Sequence, residues 1–85
     1  MSVYKIIISR IAQKQLDKLQ DNIAERFIEA IYTLADNPRP FGYKKLKGRE
    51  SHRIRVGDYR VIYEIFDDVL IINVIAIGDR KDIYK

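Results

Sequence analysis

Residues 53–56 and 59–63 read Arg-Ile-Arg-Val and Tyr-Arg-Val-Ile-Tyr, and only Gly57-Asp58 separates them. Both runs are β-rich with a period of two, and a Gly-Asp pair is a tight-turn signal, so the segment is constrained to a β-hairpin. A two-residue loop sets the register. Val56 then faces Tyr59, Arg55 faces Arg60, Ile54 faces Val61, and Arg53 faces Ile62. Side chains along a strand alternate between the two faces. Ile54, Val56, Tyr59 and Val61 therefore share an apolar face, while Arg53, Arg55 and Arg60 share the other. Like charges directly opposed across a ladder destabilise it by up to about 1 kcal/mol. An anionic ligand would offset that cost; a plain solvated strand face is the structural alternative.

The rest of the chain supplies something for the apolar face to pack on. Val3 to Ile8 reads as a first strand, and Ser9 as a helix N-cap. Ala12, Leu16 and Leu19 recur at helical spacing, which predicts a short helix over roughly 10–20. A second helix restarts at Asp21 or Asn22, with Glu25 three residues after Asn22 as in a capping box. Its apolar stripe is Ile23, Phe27, Ile31 and Leu34. Asn37-Pro38 ends it near residue 36, and Pro40 prevents a restart. Beyond the hairpin, Asp67-Asp68 predicts a second compact turn leading to a strand over 69–77. That turn places Leu70, Ile72, Val74 and Ala76 in the core. Ile71, Ile75 and Ile77 fall on the opposite face, to be covered by the 38–51 loop or by a partner. A further short strand is expected around Lys44 to Lys47. The predicted fold class is α+β: an N-terminal strand, a helical hairpin, then an antiparallel three-stranded (or four-stranded) meander, in the order β-α-α-β-β-β.

The chain has 85 residues, which predicts one domain over 1–85. A domain of this size buries only roughly 60–65% of its unfolded surface, so its stability margin is thin. There is no cysteine, which leaves no disulfide framework and fits a reducing compartment. No apolar run approaches the ~20 residues needed to span a bilayer. The short N-terminal apolar run lacks a small-residue cleavage site and reads as a strand. A cytoplasmic protein with no membrane association is expected. Net charge is +4, but between Arg39 and Arg60 eight basic residues stand against Glu50 and Asp58, giving +6 in 22 residues. The remainder sums to −2. So local an asymmetry points to an anionic partner met by one face.

Taken together, Lys45-Leu46-Lys47-Gly48, the run Arg53-Ile54-Arg55-Val56-Gly57-Asp58-Tyr59-Arg60-Val61-Ile62-Tyr63-Glu64, then Ile77-Gly78-Asp79-Arg80 and the terminal Ile83-Tyr84 resemble the RelE/ParE toxin superfamily, and its RelE branch more closely. The resemblance covers nearly the whole chain. It implies a toxin of a type II toxin–antitoxin pair that enters the ribosomal A site and cuts the mRNA there. It implies a catalytic set of Arg53, Arg55, Arg60, Arg80 and Tyr84. It implies a cognate antitoxin as partner, and operator DNA met only through the toxin–antitoxin complex. The best-known bacterial members of the branch carry lysines where this chain has Arg53 and Arg55. Two other readings stay open: a ParE-like, non-enzymatic gyrase inhibitor, and an inactive relative that only pairs with its antitoxin.

The residue inventory restricts the chemistry. His52 is the only histidine, which excludes a paired-histidine ribonuclease mechanism by count. The carboxylates are scattered and form no metal-ligand spacing, so neither a metal nor another cofactor is expected. What remains is electrostatic: guanidiniums placed where phosphate charge develops. The reaction implied by the resemblance is attack of an RNA 2′-hydroxyl on the adjacent phosphate. Arg60 and Arg80 would stabilise the transition state, and Arg53 and Arg55 would grip flanking phosphates. An arginine cannot be an ordinary base, because its pKa exceeds about 12. Tyr84 is the candidate for proton transfer, or else for stacking on a base. Lys44, Lys45, Lys47 and Arg49 are candidates for holding the RNA backbone. His52, Tyr59 and Tyr63 read as packing residues.

Overall fold

The computed structural model describes residues 3–46 and 51–79. Its elements are β1 (Lys5–Ile8), α1 (Arg10–Asp17), α2 (Asp21–Asp36), β2 (Lys44–Lys45), β3 (Ser51–Val56), β4 (Tyr59–Phe66) and β5 (Ile71–Asp79). They form one five-stranded sheet in the order β1-β5-β4-β3-β2. Strands β2 to β5 make the antiparallel meander, and β1 adds to it parallel to β5. The expected α+β arrangement is thus present, in its four-stranded form.

The core lies between the helices and one sheet face. Ala12 and Leu16 of α1, and Phe27, Ile31 and Leu34 of α2, pack with Ile54, Val61, Tyr63, Ile72, Val74 and Ile77. The helical stripe and the apolar hairpin face read from the sequence are both in this cluster. Phe27 meets Tyr59 edge-on, with ring centroids 5.4 Å apart. Burying a side chain of this size contributes about 1.5–3 kcal/mol. His52 packs between Tyr43 and Tyr63, at 5.9 and 5.8 Å, in the structural role expected for it.

Ser9 caps α1 as expected, its Oγ accepting from the Ala12 N–H at 3.0 Å. The same hydroxyl donates to the carbonyl of Ile75 at 2.7 Å. Three expectations about the helices and the turn after β4 are corrected. First, α2 begins at Asp21 behind Gln20 with no side-chain cap, so Asn22 and Glu25 form no capping box; Asp21 favours the helix start through its charge. Second, α1 ends at Asp17 rather than near residue 20. Third, the turn after β4 is longer than Asp67-Asp68. Phe66 pairs with Ile71, and Leu70 sits exposed in the turn with φ of 55° instead of in the core.

The last strand also changes face midway. Ile62 pairs with Ala76 and Tyr63 with Val74, which leaves Ile75 as an extra residue in β5. Such a bulge shifts every later side chain to the other face. Ile77 therefore joins Ile72 and Val74 in the core, and Ala76 moves outward, the reverse of the sequence expectation. The bulge is held by α1: Ser9 takes the Ile75 carbonyl, and Gln15 Oε1 accepts the Ile77 N–H at 2.7 Å.

Candidate nucleic-acid interface

The β3–β4 hairpin has the predicted register throughout, with Val56 facing Tyr59, Arg55 facing Arg60, Ile54 facing Val61 and Arg53 facing Ile62. Gly57 has φ of +62° and Asp58 does not share a positive φ, the pattern of a type II′ turn. Arg53, Arg55 and Arg60 therefore occupy the sheet face opposite the helices. β2 adds a fourth charge, because Lys44 faces Arg53. That face thus carries two like-charged cross-strand pairs, Lys44–Arg53 and Arg55–Arg60. The sequence hinted at β2 only loosely, so the Lys44–Arg53 pair was not legible there.

The three arginines are not equivalent. Arg55 is exposed, whereas Arg53 is 9% and Arg60 4% exposed. Neither buried guanidinium is without an interaction partner. A buried arginine has to be held by partners, since an uncompensated buried charge is costly. Two of the three cations are therefore held in place, and the third is free to meet solvent. Glu64 lies on the same face, opposite Ser51 and Asn73, and accepts a hydrogen bond from Asn73 Nδ2 at 3.2 Å. Lys45 lies opposite His52 and is exposed, as is Lys44.

Arg39 leaves the basic set. Its Nη2 donates to Asp67 Oδ2 at 2.8 Å and its Nη1 to Asp67 Oδ1 at 3.4 Å, while Tyr4 donates to Asp67 Oδ1 at 2.6 Å. The Arg39 hydrogen bonds, then that of Tyr4, hold the Asp67 carboxyl below the ordinary carboxylate range. The partner is 28 residues away in sequence, so local charge counting could not find it. Tyr63 is buried and donates to the Pro38 carbonyl at 2.8 Å; burial raises its pKa and keeps the phenol protonated. It fastens the loop after α2, in line with its expected packing role. Lys47, Arg49, Arg80 and Tyr84 lie outside the described residues.

Similarity to known proteins identifies the family. The family model for the "ParE toxin of type II toxin-antitoxin system, parDE" matches residues 6–84. The chain belongs to the RelE/ParE toxin superfamily. A protein of Methanocaldococcus jannaschii named putative toxin RelE1 is 36% identical over 96% of this chain and 96% of its own length. Toxin RelE of Mycobacterium tuberculosis is 32% identical, covering 96% of this chain and 87% of that protein. Among solved structures, a chain of the archaeal RelE–RelB complex from Pyrococcus horikoshii superposes with a TM-score of 0.81. It shares 31% identity, over 92% of this chain and 96% of that one. Among the described residues of this superfamily member, no helix is long and apolar enough to cross a membrane.

Proposed function

We propose that this toxin is a ribosome-dependent mRNA endonuclease of the RelE type, acting in the cytoplasm as one domain over residues 1–85. The observation that carries the reading is the single sheet face bearing Arg53, Arg55 and Arg60, two of them buried and the third exposed. The names of its relatives, RelE1 of M. jannaschii and RelE of M. tuberculosis, point the same way.

The chemistry follows from what arginine can do. Phosphodiester cleavage by a neighbouring 2′-hydroxyl builds negative charge on the phosphorane oxygens. Donors already in place when that charge appears need no reorganisation, and one such donor contributes about 10²–10³ in rate. Arg60 is the buried donor for that task, and the proposed set assigns the same task to Arg80. Arg53 and Arg55 bind the flanking phosphates, together with Lys44, Lys45, Lys47 and Arg49. Tyr84 handles the proton or stacks on the opened base. The partner in the resting state is a cognate antitoxin, as in the RelE–RelB complex of P. horikoshii. Operator DNA is met only through that complex.

The test is primer-extension mapping of cellular mRNA after induction, beside the same experiment with Arg60→Lys, which keeps the buried charge and loses the planar fork. Cuts clustered within codons of translated messages, and lost in the variant, are the expected result. The ParE wording of the matching family model favours one other reading, a gyrase poison. Intact mRNA with DNA damage would select that reading and discard the nuclease.

A further inference from the structure

The loop between α2 and β2 carries an aromatic side chain that the fold does not use. Phe41 is fully exposed. The backbone under it is nevertheless well held. The Tyr43 N–H donates to the Pro40 carbonyl at 3.0 Å, which closes a β-turn with Phe41 and Gly42 at its centre. Gly42 has φ of +90°, as the third position of a type II turn requires. Upstream, Arg39 is tied to Asp67 and the Pro38 carbonyl to Tyr63. Downstream, Lys44 pairs with Arg53. A rigid turn thus holds a bare phenyl ring in water.

In a domain with a thin core, an apolar ring presented this way has no folding role. The exposed cations that follow it along the chain are Lys44 and Lys45, whereas Arg39 is paired with Asp67. Basic side chains interleaved with an aromatic are what a single-stranded nucleic acid uses, phosphates on the cations and a base on the ring. We propose that Phe41 is a stacking platform for one unpaired RNA base. It stands three residues before Lys44, at most about 10 Å along the chain from the basic face. The inference rests on the reading of this chain as an RNA-directed toxin and adds a contact outside the arginine set.

The chain contains no tryptophan, so Phe41→Trp places a single tryptophan at the platform, excited apart from the six tyrosines. The full-length variant is titrated with a single-stranded RNA oligonucleotide, and separately with polyphosphate, a polyanion without bases. Saturable quenching by RNA and none by polyphosphate is expected. Equal responses to both, or none to RNA, overturn the platform. A response to purified antitoxin with none to RNA assigns the ring to a protein contact and also overturns it. In ribosome-bound mRNA cleavage, Phe41→Ala should raise KM about tenfold, the effect of one lost stack, with kcat and Tm unchanged. An unchanged KM overturns the proposal. Should the wild type cut no ribosome-bound mRNA, the nuclease reading fails, and base-dependent quenching alone then supports or overturns the platform.

Discussion

Arg55 and Arg60 are direct cross-strand partners two residues from the hairpin turn, one exposed and the other buried. The pair sets two like charges against each other, and in the proposed function Arg55 is the one that meets RNA phosphate. Arg55→Gln removes the repulsion without creating a buried vacancy. Its Tm should be equal to or above wild type, by up to about 4 °C for a domain of this size. RNA cleavage should fall, and the dependence of binding on log salt should lose about 0.7 of slope, the share of one phosphate contact on a single strand. Thermal melts beside salt-dependent binding check this. A lower Tm with full activity would mean that Arg55 is a packing residue.

Arg60 calls for a different substitution, because its guanidinium is buried and held. Arg60→Ala strands its partners and should destabilise by about 1–3 kcal/mol, which confuses fold with function. Arg60→Lys keeps the charge and loses the planar fork. The lysine variant should melt near wild type yet cleave about a hundredfold more slowly, since it places donors less accurately on the developing charge. Single-turnover cleavage on programmed ribosomes measures this. Near-normal rates in Arg60→Lys would reduce the residue to a point charge.

Ser9 joins two features that are distant in sequence: the start of α1 and the bulge at Ile75. Ser9→Ala removes the cap, at a cost of about 1 kcal/mol, and leaves the Ile75 carbonyl without its hydroxyl donor. A total loss of about 2 kcal/mol is expected in urea unfolding. Ser9→Gly should cost less at the cap while still losing the bulge contact. Equal stability in the two variants would show that the cap contributes little.

What could be read in the sequence was local. The hairpin register follows from a period of two and the length of one turn, and so the common face of Arg53, Arg55 and Arg60 follows as well. The helical stripe through Phe27, Ile31 and Leu34 is likewise local. The swap of Ala76 and Ile77 was not legible, because the bulge is held by Ser9 and Gln15 from an element more than sixty residues away. Nor was the burial of Arg53 and Arg60. Alternation says which face a side chain occupies and is silent on what lies above it. Arg39 counted as a free cation only until its distant carboxylate partner was seen.

That carboxylate gives the protein two pH limits. Asp67 accepts from Arg39 and Tyr4, which lowers its pKa, chiefly through the Arg39 hydrogen bonds. A depressed folded pKa means stability that is present above the unfolded value of about 3.9 and lost as pH falls through the folded one. The same bond raises the pKa of Tyr4, whose first cause is the hydrogen bond to Asp67. Its contribution is present below about pH 10 and lost as pH rises through the raised folded value. Wild-type Tm should therefore fall at both extremes. Asp67→Asn should flatten the acid limb, and Tyr4→Phe the alkaline one. The Arg39–Asp67 ion pair is solvent-exposed, so salt at 1 M, where the Debye length is about 3 Å, should shrink the difference between wild type and Asp67→Asn. Parallel Tm–pH curves for wild type and Asp67→Asn below pH 4 would show that the clamp joining Tyr4, Arg39 and Asp67 does not stabilise the fold.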